Sequence, residues 1–440
     1  MTDSGRSIFA GVILGLLTAA VYLIDSSRSF GYDAAATFSN FVATPNFWDA
    51  FAFHQALPTI PLKFVASNDH VLVSVISHVI YSLTGSRDEV LYRLTPALAA
   101  GATVGVTATV LLRRFGWLAG ISAALFVATD PLFVDNSRDL RGYSLAALGS
   151  VMATLLLAGK WTRWRLVAYA LVMGLAIAAQ LFAGVVLIAH VVWIASRRSR
   201  GQLLELAPAW IGAAAIGIAA NAYIQYVELV QHGYPPSNFY PTFPRDLVFF
   251  LVGAPALITV GLWLGTAGLG VWVLRDRLWV WTTIAVVVAV VAFLWLGLRP
   301  AFLYPRFFIF LVPGIAFVMA AAVQRWKVLA PVVALGAVLA AIAQAPGYTE
   351  DPLALHQAAA AIDQVHASGG RACVLHADEQ VLAGYTNDFS GVTSPDQLSG
   401  CDAVVVVSWN VDIATRDLAA RQFPKAKVLP ASYPAVLLER

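Results

Sequence analysis

Charge is what this chain of 440 residues has least of: Asp, Glu, Lys and Arg together make up 12% of it, against about 25% in ordinary globular proteins. So few charges leave no room for a disordered chain, a cytosolic enzyme or a nucleic-acid binder as the main reading. Cysteine is nearly absent. Cys373 and Cys401 are the two, and both fall near the C-terminus, so their redox state depends on which side of a membrane that region faces. No P-loop, GxGxxG, zinc spacing or internal repeat is present. What the chain has instead is apolar: 59% hydrophobic residues and 13 Trp, with a mean hydropathy of +0.73. This is the composition of a membrane protein.

Apolar runs long enough for a hydrocarbon core of about 30 Å lie near 7–24, 94–112, 117–130, 142–159, 166–179, 181–196, 207–227, 247–274, 278–297, 307–324 and 328–345. They predict about eleven transmembrane helices in a polytopic α-helical protein. Arg6 precedes the first run and no small-residue cleavage site follows it, so that run reads as a retained helix. Frequent small-xxx-small pairs point to helix packing more than to a specific dimer face.

The segment His70–Thr84 is about one helix long but carries His70, Ser74, Ser77 and His78. If it does not span, the links that hold Arg113/Arg114, Lys160/Arg163/Arg165, Arg197/Arg198/Arg200, Arg275/Arg277 and Arg325/Lys327 all share a side with Arg6. That side then has 13 Lys/Arg against 3 Asp/Glu, and the other 9 against 11. Positive residues near span ends mark the cytoplasmic face, so the segment is read as a juxtamembrane helix outside. The same reasoning folds 166–196 into a hairpin near Gln180.

Residues 1–345 hold 22 Lys/Arg and 14 Asp/Glu, whereas 346–440 hold 6 and 11. The expected organisation is therefore a basic membrane domain, 1–345, with a long first outer loop at 25–93, and a small acidic extracytoplasmic domain, 346–440. In the latter, 353–367 and 415–422 read as helices and Arg371–Leu375 and Ala403–Val407 as buried strands, an α/β pattern. Neighbouring parallel strands would bring Cys373 and Cys401 within the roughly 4.4–6.8 Å Cα separation of a disulfide. Two separate buried thiols are the alternative.

Four outer segments place ionisable groups at span ends: Asp33; Asn68-Asp69-His70; Arg138-Asp139-Leu-Arg141-Gly-Tyr143; and Tyr304-Pro-Arg306. Such groups beside hydrocarbon are functional candidates by default. Arg138 and Asp139 also fit as interfacial anchors, Asp49 and Asp88 as solvated loop charges, and His70 as a packed histidine.

In order along the chain, Asp33, Asn68/His70/Leu72, Gly85 with Asp88 or Glu89 and Arg93-Leu94, Asp139/Arg141/Tyr143 and Pro305-Arg306-Phe307 resemble the GT-C glycosyltransferases, among them protein O-mannosyltransferases and lipid A aminoarabinose transferases. No single motif is specific; the ordered set is, over about the first 310 residues. Two positions depart from that pattern: Ala34 stands where relatives carry Glu, and His70-Val-Leu-Val where they carry His-Pro-Pro-Leu.

The resemblance implies inverting transfer of a sugar from a polyprenyl-phosphate donor to an acceptor hydroxyl on a glycan, lipid or protein, at the outer face. A weakly nucleophilic hydroxyl needs a positioned carboxylate, the role given to Asp33, with Asp69 and Asp139 as supporting acids. A phosphate leaving group calls for arginines: Arg141 and Arg306 first, then Arg93, Lys63 and His70. No cofactor is required, and a divalent metal is left open. A transporter or flippase of lipid-linked sugars is the competing class; it would place ionisable groups or broken helices at mid-membrane, and the spans here carry almost no charge there.

Overall fold

The structure is a computed structural model that describes residues 3–24, 26–51, 69–197, 200–226, 241–253, 256–298, 303–349, 353–375, 378–392, 394–407, 413–429 and 435–439. The chain divides into two compact units. One comprises Met1–Ile24, Leu94–Ala222 and His232–Ala345; the other Asp25–Arg93, Tyr223–Gln231 and Pro346–Arg440.

Each of the eleven apolar runs contributes helix to the structure. Among the described residues, six helices are long and apolar enough to cross a membrane: Asp3–Tyr22, Glu89–Phe115, Gly201–Ala222, Leu278–Gly297, Pro305–Arg325 and Leu329–Gly347. A seventh arises if Trp117–Thr129 and Pro131–Ser137, bent by 54°, count as one broken span. The remaining runs are helical but short. Gly184–Ala195, with 12 residues, extends only about 18 Å at 1.5 Å per residue, well under the hydrocarbon thickness. The eleven runs thus give six or seven helices of full spanning length and several shorter apolar ones among the described residues.

The membrane unit inverts the packing of a soluble helix. On Asp3–Tyr22 the buried positions are Ser7, Gly11, Gly15, Thr18, Ala19 and Tyr22, while Phe9, Leu16 and Leu17 are exposed. Lipid solvates the large side chains, so contact between helices is left to small residues that let backbones approach. Gly11 and Gly15 meet Gly105 and Gly101 of Glu89–Phe115: a Cβ on Gly11 would stand 2.5 Å from the Gly105 carbonyl oxygen, and one on Gly15 2.6 Å from that of Gly101. The small-xxx-small pairs thus serve an internal crossing.

Helix Arg163–Ala179 stops at Gln180, whose backbone is extended and whose side chain accepts from the Phe182 amide. Tyr169, eleven residues before that break, reaches His190, ten after it, with 3.1 Å between the hydroxyl and Nδ1. The run 166–196 therefore doubles back, and the other ring nitrogen of His190 lies 3.0 Å from the Thr154 hydroxyl.

In the second unit, five strands, β1 (Ala372–Leu375), β2 (Ser390–Val392), β3 (Ala403–Val406), β4 (Lys425–Leu429) and β5 (Ala435–Glu439), form a sheet in the order β2-β1-β3-β5-β4. β1 is parallel to β2 and β3; β5 is antiparallel to β3 and β4. Cys373 pairs in register with Val404, and Cys401 lies just before β3. The two cysteines are bridged, with Cα atoms 5.8 Å apart, in a core with Leu375, Leu398, Val404 and Phe423.

By its contacts the segment Asp25–Arg93 groups with the C-terminal region. It contributes Tyr32–Thr37, Phe38–Val42, Phe47–Phe51 and the 14-residue helix Val71–Thr84. That helix ends at Gly85, whose φ of +61° only glycine adopts freely. Asp49, expected in solvent, is buried, whereas Asp88 is exposed and caps the following helix through the Val90 amide.

Two outcomes follow. Gly15→Leu should lower stability in detergent by at least about 2 kcal/mol through overpacking, while Gly265→Ala, whose Cβ would meet nothing within 4 Å, should leave the melting temperature unchanged. Replacing both cysteines by Ala should destabilise the C-terminal domain by roughly 3–4 kcal/mol, the chain-entropy value for a sequence separation of 28, read by urea unfolding with and without reductant.

Candidate functional site

In the membrane unit the acidic and basic residues sit where helices break. Asp130 caps the short helix Pro131–Ser137 by accepting from the Phe133 amide at 3.0 Å, and Pro131 occupies its first turn. The next five residues form a tight turn. Asp139 serves its own backbone there, its carboxylate accepting from the Leu140 amide at 3.1 Å and its carbonyl from the Arg141 amide at 2.7 Å. Arg138 is buried and donates to the carbonyls of Tyr22 and Ile24, at 3.3 and 3.1 Å. It thus complements the C-terminal end of the first helix, the anchoring task that competed with a functional one.

Arg141 points elsewhere. It is 6% exposed, and its guanidinium carbon lies 5.8 Å from the centre of the Tyr143 ring. Arg306, 165 positions later, lies 6.0 Å from that same ring and 4.8 Å from the ring of Tyr304. The local sequence explains its place: Pro305 restricts Tyr304 to extended backbone (φ −115°, ψ 147°) and starts the helix Pro305–Leu311. Helix Tyr143–Ala158 is fixed in turn by Ser144, which donates to the Pro96 carbonyl at 2.9 Å. Aromatic faces attract guanidinium ions, so Tyr143 gathers two cations that would otherwise repel. An anion with several acceptor oxygens is the ligand that such a pair suits.

Sequence patterns marked the arginines; the rings that collect them were visible only as the tyrosines beside each motif.

The remaining candidates lie in the second unit. Asp33 is the second residue of Tyr32–Thr37 and partly exposed, with Ala34, Ala35 and Ala36 buried behind it. The carboxylate of Asp69 accepts from the Ser74 hydroxyl, and His70 stands buried at the N-cap of Val71–Thr84. His78, on that helix, reaches the Val42 carbonyl at 3.0 Å and stacks edge-on with Phe47.

Arg93 is enclosed by the loop before Asp33. It is 1% exposed, donates to the carbonyls of Ser26, Arg28 and Ser29, and lies 5.0 Å from the Phe30 ring. A guanidinium so placed orders the loop before Asp33. Lys63 and Asn68 lie outside the described residues.

Among the described residues no group of three His, Cys, Asp or Glu could hold a metal, and Ala34, next to Asp33, is fully buried.

No protein-family model and no curated protein matches the sequence. Solved structures do. ArnT from Cupriavidus metallidurans in the apo state superimposes with a TM-score of 0.65 at 14% identity, over 97% of both chains. The same protein bound to undecaprenyl phosphate gives 0.60 at 15% identity, again over 97% of both. The chain therefore shares the fold of ArnT, a multi-pass membrane architecture with a small C-terminal sheet domain.

Arg93→Lys should expose the difference between loop-holding and ligand-holding. A single ammonium cannot serve three carbonyls in that fork geometry, so the melting temperature should fall by several degrees while the donor KM of the folded fraction stays within about twofold. A selective rise in donor KM would return Arg93 to the phosphate site.

Proposed function

We propose that this chain transfers a sugar from a polyprenyl-phosphate donor to an acceptor hydroxyl at the outer face of the membrane, with inversion at the anomeric carbon. The observation that carries the reading is the pair of guanidiniums on the Tyr143 ring, in a fold shared with a protein that binds undecaprenyl phosphate. A lipid-linked donor brings its phosphate to the membrane boundary, where these arginines lie in the sequence.

In this mechanism the acceptor oxygen attacks the anomeric carbon from the face opposite the phosphate. The carbon–oxygen bond to phosphate breaks as the new glycosidic bond forms, and the configuration inverts. Asp33 accepts the hydroxyl proton, a contribution of about 10²–10⁴-fold. Arg141 and Arg306 take up the charge that grows on the departing phosphate, which is strongest in the transition state. Asp69 and Asp139, both tied to local hydrogen bonds, support rather than replace Asp33, and His70 serves as a secondary polar group. Two features favour an outward-facing site: the Lys/Arg bias of the links and the Cys373–Cys401 bridge, which persists outside the cytoplasm.

Purified protein given a defined polyprenyl-phosphate sugar and an acceptor should release polyprenyl phosphate. Asp33→Asn should remove at least about 100-fold of kcat with the fold intact. Arg141→Ala and Arg306→Ala should each impair use of the donor more than of the acceptor. Near wild-type turnover by Asp33→Asn would transfer the base role to Asp69 or Asp139, and movement of labelled donor across vesicles without bond cleavage would replace the enzyme with a transporter.

A further inference from the structure

Helix Tyr32–Thr37 is six residues long, far too short to persist by itself, so something outside it must set where Asp33 stands. Within the second unit the answer comes from the other end of the sequence. The short helix Glu379–Leu382 packs against it. Gln380 donates from its side-chain amide to the Tyr32 hydroxyl, one residue before Asp33. The Tyr385 hydroxyl accepts from the Phe30 amide at 2.9 Å, three residues before. On the far side, Gly384 lies so close to Phe38 and Ser39 that a Cβ there would come within 2.9 and 3.0 Å of them.

These contacts are themselves held. Burial first, then the charge of Glu89, push the Tyr385 hydroxyl well above the ordinary tyrosine value, which keeps it protonated. Glu89 pairs with His356 at 2.8 Å, and the His356 ring meets Tyr385 edge-on at 5.0 Å. Next to Tyr385, the Thr386 hydroxyl donates to Asp363 at 2.7 Å. Arg87 donates to the Gly384 carbonyl at 3.2 Å. Glu89, Gly384 and Thr386 are buried within this chain of polar contacts, so few alternative arrangements satisfy them.

We infer that the C-terminal domain sets the geometry of the proton acceptor, with Gln380 and Tyr385 as positioning residues that act on Asp33 through Tyr32 and Phe30. The inference rests on the assignment of Asp33 as base. It makes the C-terminal domain part of the catalytic apparatus, acting without touching substrate.

The test uses the full-length protein in detergent. Tyr385→Phe removes the hydroxyl contact to Phe30 and keeps the ring; Gln380→Ala removes the Tyr32 contact, and Gln380→Glu re-forms it in the opposite sense, its carboxylate accepting from the Tyr32 hydroxyl. Tyr385→Phe and Gln380→Ala should lower kcat by about tenfold or more, as small misplacements of reacting groups do, with donor KM within about twofold and Gln380→Glu recovering most of the loss. Hydrogen exchange over residues 30–42 should quicken in both. In an Asp33→Asn background Tyr385→Phe should add no further loss, because a residue that acts only through Asp33 has nothing left to position.

Unchanged kcat in Tyr385→Phe and Gln380→Ala beside a 100-fold loss in Asp33→Asn would overturn the positioning role and leave the base assignment standing. Additive losses in the double variant would do the same. Wild-type turnover by Asp33→Asn alone would remove the base assignment, and the inference with it. If Tyr385→Phe does not fold, the Gln380 pair carries the same test.

Discussion

A cation beside hydrocarbon has to be paired, and much of how this chain places its arginines follows from that requirement. Water is scarce at the membrane boundary, so each guanidinium must find acceptors or a polarisable face within the protein. Arg138 finds the carbonyl ends of the first helix. Arg93 finds three loop carbonyls and the Phe30 ring. Arg141 and Arg306 share the face or edge of one tyrosine ring. The first two arginines therefore organise the chain, and the last two are the pair assigned to the donor phosphate in the proposed function.

The fold supplies that arrangement by closing on itself in two different ways. In the membrane unit, backbone contact through Gly11, Gly15, Gly101 and Gly105 substitutes for a hydrophobic core, because lipid is as apolar as any side chain. In the second unit a conventional core with a disulfide at its centre supports segments drawn from both ends of the sequence. Polar contacts such as that of the buried Glu89 with the half-exposed His356 join those segments around the short helix that bears Asp33.

Much of this was legible in the sequence, and the reasons it stopped being legible are physical. Apolar runs and basic links gave the membrane helices, the juxtamembrane helix Val71–Thr84 and the fold-back at Gln180, since period, length and charge are local properties. Apolar runs marked the helices but not their bounds, because helix ends are set by packing, as at Asp130, where the chain bends by 54°. The arginine motifs were visible, yet Arg93 and Arg141 looked alike, since nothing local says whether carbonyls will surround one of them. Exposed β4, reading Lys-Ala-Lys-Val-Leu, gave no alternation to mark it. Gln380, Tyr385 and His356 were beyond reach for a simpler reason: their partners lie some 270 to 360 positions away.

The central claim is that Arg141 and Arg306 jointly hold the phosphate of a lipid donor. A structure of this protein with polyprenyl phosphate bound tests it most directly. The account predicts the phosphate oxygens within about 3 Å of both guanidiniums, beside the ring of Tyr143. A phosphate held by other residues, with the two arginines still on that ring, would contradict it.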